Sequence, residues 1–186
     1  MLSSTPWGEP QTRREIAPGI CFYSTARHGG YHLLPDRFET FRQFFPHYVL
    51  WAGDPWFEED CDAALVTLTF AAEFSDQNVF FAEQSIRACV KRERTADAPW
   101  LRVWNTITHN ETLAAVLHRA DKFRLEHADD WQVGCAGTND KGGWDVHLTR
   151  LKDGADRWRH FPDYPEKPFY SSAELFNSET VSATSS

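Results

Sequence analysis

The chain has 186 residues, enough for one hydrophobic core or a core with a small annex, since domains typically hold about 100–200 residues. Hydrophobic residues make up 41% of the chain and aromatic residues 15%, which excludes disorder throughout. A net charge of −8 argues against a protein that binds nucleic acid by neutralising its phosphates, and it suits a partner with a basic surface.

Cysteine usage and the N-terminus indicate an intracellular protein. The four cysteines lie far apart and form no Cys-x-x-Cys pair, so neither zinc-knuckle spacing nor a dense disulfide framework is present. The N-terminus lacks the basic flank and apolar region of a signal peptide, and no stretch approaches the roughly 20 apolar residues that span a bilayer. We therefore expect a cytoplasmic, unprocessed protein without a membrane partner.

The first part of the chain predicts an antiparallel hairpin followed by helices. Two β-prone runs, Gly19 to Thr25 and Gly30 to Leu34, flank a short turn. Pro35 begins a helix in which phenylalanines recur at three- and four-residue spacing, and Pro46 ends it. A loop with glycine and proline precedes a second helix, predicted over about Glu58 to Phe70 from its apolar stripe.

The middle of the chain predicts further helices. One covers Asp76 to Lys91, with Ser75 or Asp76 as its N-cap. The segment Trp100 to Thr108 fits either a strand, by its apolar alternation, or a helix, by its tryptophans one turn apart. Asn110 caps another helix, which runs to about Ala128.

From Asp130 onward the apolar period becomes two, which predicts a three-stranded antiparallel meander. The fold class is therefore α+β, with the hairpin and the meander packed by about four helices. We assign residues 1–170 to a single domain and place any sub-division near residues 92–99, a charged linker. Residues 171–186 are rich in Ser and Thr and predict a flexible tail.

Four blocks of sequence in the first third stand out. They are Thr5-Pro6-Trp7-Gly8, Ala17-Pro18-Gly19-Ile20, the stretch from Ser24 to Tyr31 with its His28-Gly29-Gly30, and Phe57-Glu58-Glu59-Asp60-Cys61. These blocks resemble an uncharacterised bacterial family met mostly in proteobacteria, their plasmids and their phages. His127 to Val133 is similar to that family's helix-to-strand junction, so the resemblance spans about residues 5–170. It implies an origin and a shared fold, and it implies no activity.

The acidic run Glu58-Glu59-Asp60 suggests a metal site or acid–base chemistry. At the start of a helix, however, carboxylates complement the positive helix end, which contributes about 0.3–1 kcal/mol each. Glu58 and Asp62 are four residues apart and could chelate jointly, but no H-E-x-x-H or D-x-D-x-D-G pattern accompanies them. We assign no metal and no cofactor, and the absence of Gly-rich phosphate motifs argues against nucleotide-dependent catalysis.

One nucleophilic set can be assembled from the sequence. His28 or His32 could act as the base for Cys61, with Asp60 or Asp54 orienting the imidazole. Alternatively, His28 could work with the carboxylates of Glu58, Glu59 and Asp60. A small hydrolase-like enzyme is therefore the alternative function. Because Cys61 falls on the apolar stripe of its predicted helix, the simpler interpretation is that its thiol is buried and has no catalytic role.

The favoured function is a binding function. Tryptophans outside the periodic segments, the polar turn and the acidic run supply candidate binding residues, namely Trp7, Arg27, His28, Trp56, Glu58, Glu59 and Asp60. The acidic net charge, the absence of a recognisable catalytic constellation and the resemblance predict a non-enzymatic protein of a mobile element that inhibits a bacterial defence complex, as anti-CRISPR or antirestriction proteins do. Its partner would be a protein complex with a basic surface, without direct nucleic-acid binding.

Overall fold

A computed structural model describes residues 4–93, 98–140, 142–164 and 166–176. These residues form an α+β fold with antiparallel sheets, as predicted. Two compact units divide the chain, Met1–Phe123 and Arg124–Ser186. The boundary thus lies away from the predicted linker near 92–99, of which residues 94–97 lie outside the described residues. Each unit is described by itself.

The first unit contains a four-stranded antiparallel sheet in the order β1-β2-β3-β4. Its strands are β1 (Thr12–Ala17), β2 (Ile20–Ser24), β3 (Gly29–Leu33) and β4 (Trp56–Glu58). The pair β2 and β3 is the predicted hairpin. The strands on either side of it escaped prediction because β1 is mostly exposed and polar and β4 has only three residues, so neither carries an apolar alternation.

The helices confirm most of the predicted periodicity. They are α1 (Pro35–Phe44), α2 (Ala63–Thr69), α3 (Asp76–Arg92), α4 (Pro99–His109) and α5 (Glu111–Glu126), with a 3₁₀ turn at Ala71–Glu73. Ser75 caps α3 by accepting a hydrogen bond from the Asn78 backbone N–H at 3.2 Å, and Asn110 caps α5 in the same way through Leu113 at 3.1 Å. No helix among the described residues is long and apolar enough to cross a membrane.

Two of the helices correct or settle the sequence-based boundaries. The helix predicted from Glu58 begins at Ala63, because the residues before it pair as β4 and then turn. The acidic run therefore does not occupy the first turn of a helix. The ambiguous segment from Trp100 is helical, and α4 buries Val103 and Ile107 one turn apart on one face.

Helix α2 is the centre of the first core. Six consecutive residues of α2, from Ala63 to Leu68, are buried, and the helix packs against α1, α3, β3 and β4. Beside it, the rings of Phe41 on α1 and Phe57 on β4 meet edge to face with centroids 4.7 Å apart. A helix that is buried on all sides needs no polar face, which explains why its sequence carries no charge.

The second unit contains a sheet in the order β7-β6-β5-β8. Its strands are β5 (Trp131–Thr138), β6 (Trp144–Arg150), β7 (Asp156–Phe161) and β8 (Phe169–Tyr170). The first three are the predicted meander, and β8 adds a fourth strand of only two residues that pairs with β5. So short a strand has no periodicity of its own, and its pairing depends on the edge that β5 offers.

The tail predicted for residues 171–186 begins with a helix instead. Helix α6 (Ser172–Phe176) follows β8, and its Leu175 is fully buried with Trp131, Val146 and Leu148. Burying one leucine side chain contributes about 1.5–3 kcal/mol, which offsets part of the cost of ordering this segment. Residues 177–186 lie outside the described residues.

At Gly30 the backbone of Phe57 and the ring of Trp7 approach the first sheet closely, so a larger residue at this position should destabilise the fold. A methyl group there would collide with the backbone carbonyl of Phe57 and with the ring of Trp7. We expect Gly30→Ala to lower the free energy of unfolding by about 1–3 kcal/mol, as overpacking does. Thermal or urea denaturation followed by circular dichroism measures this change.

The matched control is Gly137→Ala on β5, because a methyl group there meets no atom within 4 Å. This substitution should change the stability by less than about 0.5 kcal/mol. Equal losses in the two variants would show that the close approach at Gly30 is not what matters.

Candidate functional site

Two of the sequence blocks meet at one edge of the first sheet. Gly30 on β3 pairs with Glu58 on β4, and the Glu59 backbone N–H donates to the Gly29 carbonyl at 3.0 Å. This register brings the turn that carries His28 next to the acidic run. We call the group of His28, Glu58, Glu59 and Asp60 the acidic corner.

Glu58 is the buried centre of the acidic corner. Its side chain is only 7% exposed, and its Oε2 accepts a hydrogen bond from the Asp60 backbone N–H at 2.9 Å. Its Oε1 lies 3.7 Å from His28 Nδ1. His28, Glu58 and Glu59 each offer one ligand atom, and these three atoms lie within 4.8 Å of one another. Among the described residues this is the one such group of metal-ligating side chains.

The turn holds His28 by its backbone and leaves its ring exposed. The Thr25 hydroxyl donates to the His28 carbonyl at 2.9 Å and accepts from the His28 backbone N–H at 3.2 Å. The Thr25 backbone N–H donates to the same carbonyl at 2.8 Å. Such a side-chain-supported turn orders the backbone at His28, so the imidazole is presented from a rigid position.

Cys61 does not form the pair that a cysteine nucleophile needs. Its thiol contacts Glu58 Oε2 at 3.6 Å and Asp62 Oδ1 at 3.8 Å. Burial, followed by the charge of the neighbouring carboxylates, raises the pKa of the Cys61 thiol to about 12. The carboxylate of Glu58 contacts both the thiol and the imidazole, so His28 is paired with Glu58 and not with Cys61. This arrangement disfavours a thiolate–imidazolium pair.

Next to the acidic corner, residues 46–54 form a loop with exposed apolar side chains, here called the apolar loop. Val49 is 85% exposed and Trp51 is 70% exposed. The ring of Trp51 lies 6.4 Å from that of His28, measured between centroids, so the apolar loop and the acidic corner share one surface. The run of Val, Leu and Trp between Pro46 and Gly53 is the sequence feature that could have predicted exposed apolar side chains in this loop.

Arg42, on α1, holds the apolar loop in shape through hydrogen bonds. Its guanidinium donates to the carbonyls of Phe45 at 3.2 Å and Tyr48 at 2.5 Å, and to the carboxylate of Asp54 at 2.5 Å. A planar guanidinium with several donors suits this task, because it satisfies both ends of the loop at once. The loop is therefore held in shape although its side chains face solvent.

Asp62 fixes the same loop from the start of α2. Its buried carboxylate accepts hydrogen bonds from the Tyr48 hydroxyl at 2.8 Å and from the Trp51 backbone N–H at 2.9 Å. Burial raises the pKa of Asp62, and these hydrogen bonds counteract that shift by stabilising the carboxylate. Asp62 thus supports the loop and lies outside the group formed by His28, Glu58 and Glu59.

A groove of about 710 Å³ opens beside the apolar loop. Trp51 and Tyr48 line it from the loop, and Trp100 and Val103 line it from α4. The rings of Tyr48 and Trp100 meet edge to face at 5.5 Å, which gives the groove an aromatic wall. Its size and composition are typical of sites that accept an apolar side chain.

The remaining predicted binding residues lie together on another part of the first sheet. Trp7 packs edge to face on Trp56 with centroids 5.6 Å apart, and Trp56 also contacts His32 and Tyr23. Trp7 and Arg27 line a shallower pocket of about 530 Å³. Trp7 and Trp56 therefore cover the sheet away from the groove. Cys61 and Asp62 line the groove, but its aromatic wall is built from residues that the sequence analysis did not single out.

The fold and this surface define the chain as an α+β protein with a rigid apolar loop beside an acidic corner. The family model described as Domain of unknown function (DUF7007) matches residues 1–130, more than half of the chain, so the chain belongs to that family. The match includes every residue of the apolar loop and the acidic corner. No curated protein and no solved structure matches the chain.

Removing the Arg42 guanidinium should loosen the apolar loop. We expect Arg42→Ala to speed hydrogen exchange at the amides of Tyr48 and Trp51 by at least about tenfold, since hydrogen bonds from a charged donor contribute roughly 1.5–3 kcal/mol. Arg37→Ala is the control, because Arg37 also lies on α1 but bonds to Pro18 and Glu73 instead. Unchanged exchange in Arg42→Ala would show that the loop is held by other contacts.

The Cys61 thiol should resist alkylation. At pH 8 a thiol with a pKa of about 12 carries roughly a thousand-fold less thiolate than one with a pKa of 9, and its higher nucleophilicity recovers only part of that difference. We expect iodoacetamide to modify the exposed Cys135 at least about tenfold faster than Cys61, as measured by peptide mass spectrometry. Faster modification of Cys61 would restore the thiol-based enzyme interpretation.

Proposed function

We propose that this chain is a non-enzymatic protein of a mobile element that binds and inhibits a bacterial defence complex of the anti-CRISPR or antirestriction type. The apolar loop carries the proposal, because Val49 and Trp51 remain exposed on a segment that two separate side chains hold rigid. An exposed tryptophan costs solubility and contributes nothing to this core. A binding role explains why it is kept in place.

The rigidity of the apolar loop supports a binding role on energetic grounds. Association is opposed by the ordering of side chains and loops at an interface, and a loop that is already ordered avoids that cost. Arg42 and Asp62 supply this order before any partner arrives. Tryptophan is also among the residue types that dominate binding energy when they insert into a partner's pocket.

Charge indicates the chemistry of the partner. Glu59 and Asp60 are exposed beside Trp51, and the chain as a whole carries a net charge of −8. We therefore infer a partner protein with a basic surface, which places an apolar side chain in the groove next to Trp51 and basic side chains on the acidic corner. Such a pairing speeds association and weakens as salt is added. Surfaces that bind nucleic acid are basic in this way.

The origin from a mobile element is supported by the resemblance of the sequence blocks to plasmid- and phage-borne proteins. The family of unknown function to which the chain belongs neither names a partner nor assigns an activity. The inhibitor proposal therefore depends on the surface itself, and it needs a test in cells.

A hydrolase-like enzyme is the second candidate. His28 Nδ1 lies 3.7 Å from Glu58 Oε1, which favours it, since a small closure to hydrogen-bond distance would let the carboxylate orient the imidazole for acid–base work. The raised pKa of Cys61 argues against the version that uses the thiol as nucleophile. His28→Ala separates the two functions: an enzyme should lose its activity, whereas inhibition through the apolar loop should persist.

Plating tests the inhibitor function directly. Phage and plasmid are plated on isogenic strains that each carry one defined CRISPR or restriction system, with and without the chain expressed. We expect restored plating in at least one strain. Trp51→Ala should abolish the rescue, because loss of a central tryptophan contact weakens binding by about 2 kcal/mol or more, roughly thirtyfold, and Val49→Ala should reduce the rescue less.

Leu125→Ala is the matched control, since Leu125 is 78% exposed but lies on α5, outside the apolar loop. All three variants should keep the melting temperature of the parent chain, because exposed side chains contribute little to stability. Rescue that survives both loop substitutions would move the binding surface elsewhere. No rescue across a broad panel, with expression confirmed, would favour the enzyme.

A further inference from the structure

We propose that His28, Glu58 and Glu59 form a binding site for a divalent first-row transition-metal ion. The three side chains come from the β2–β3 turn and from the end of β4, which the sheet register holds side by side. Together they supply one imidazole nitrogen and two carboxylate groups. These carboxylates also belong to the surface proposed for a basic partner, so a bound ion and the partner's basic side chains would compete for them, and metal binding is tested with the chain alone.

The spacing of the ligand atoms fits one ion. Two ligand atoms about 2.1 Å from a metal at a tetrahedral angle are about 3.4 Å apart. His28 Nδ1 and Glu58 Oε1 are 3.7 Å apart, and the whole group lies within 4.8 Å. Small rotations of the exposed His28 and Glu59 side chains close the remaining difference, and the buried Glu58 stays where it is.

Glu58 presents one carboxylate oxygen that accepts no hydrogen bond from the described residues. Its side chain is 7% exposed, and Oε2 is taken by the Asp60 backbone N–H. Among the described residues no hydrogen bond reaches Oε1, since His28 Nδ1 at 3.7 Å is too distant for one. Oε1 is not one of the buried polar atoms that lack a partner, so it reaches solvent and a cation can approach it.

Because Gly29 has no side chain, the Glu59 carboxylate can lie close to the strand and near the other two ligands. A methyl group on Gly29 would collide with Glu59 Oε2 and with the ring of Phe22. Glycine therefore leaves the space that the Glu59 carboxylate occupies over the strand. Since the Glu59 backbone also bonds to the Gly29 carbonyl at 3.0 Å, the chain positions this carboxylate by two features at once.

The ligand set selects the class of metal. One imidazole with two carboxylates suits Mn²⁺, Fe²⁺ or Zn²⁺, whereas an all-oxygen set would suit Mg²⁺ or Ca²⁺. Two carboxylates supply negative charge that a divalent ion neutralises. Three protein ligands leave coordination positions for water or for a group from outside, so the site has the open arrangement of reactive or partner-bridging metals.

Mn²⁺ is the probe for the test, because free cysteines compete for Zn²⁺ but bind Mn²⁺ poorly. The full chain is stripped with a chelator and titrated with Mn²⁺, followed by electron paramagnetic resonance and calorimetry. We expect saturable binding of a single ion per chain. Pulsed spectra should show an imidazole nitrogen at the metal, and this signal should be absent in His28→Ala.

The variants separate coordination from folding. His28→Ala and Glu59→Gln should each weaken Mn²⁺ binding by at least about tenfold, the loss that even second-shell changes cause. The exposed His47→Ala and Glu39→Gln are matched controls that should bind as the parent chain does. Metal-free melting temperatures should be equal in all five proteins. Binding that is absent in the parent chain, or that falls equally in the controls, would overturn the proposal.

Discussion

The burial of helix α2 on every side is the constraint on which the rest of the first unit depends. A helix that presents only apolar residues and small hydroxyls from Ala63 to Thr69 must be enclosed, and the sheet, α1 and α3 enclose it. The chain must also enter this helix from the surface. The polar segment that precedes α2, from Glu58 to Asp62, therefore lies at the edge of the core, where the candidate site is found.

At the start of α2, the buried carboxylate of Asp62 orders the apolar loop on the surface. Asp62 is taken out of water at the start of the helix, and the cost is offset by hydrogen bonds from Tyr48 and from the backbone of Trp51. Those donors belong to the apolar loop, so satisfying the carboxylate also orders the loop. Arg42 does the same from the other side. The exposed apolar side chains are thus presented by polar interactions beneath them.

Local patterns made most elements predictable, and the exceptions share one cause. The β2–β3 hairpin, α3 and the meander have turn residues, caps or an apolar period that stand out in the sequence. Strands β4 and β8 are too short to show a period, and β4 lies where a helical stripe was expected to begin. Their conformation depends on the edge of a neighbouring strand. Pairing with a distant segment overrides local preference in such cases.

The sequence by itself determined the α+β class, the main helices and strands, and the candidate residues His28, Glu58 and Glu59, because composition and periodicity are local properties. Only the tertiary structure decided that these three side chains meet, that Cys61 faces Glu58 and not His28, and that the apolar loop stays rigid and exposed. Each of these facts depends on the register of β3 against β4 or on a contact between residues distant in the chain. The free energy of such contacts comes from the whole packed core, which no short stretch of sequence contains.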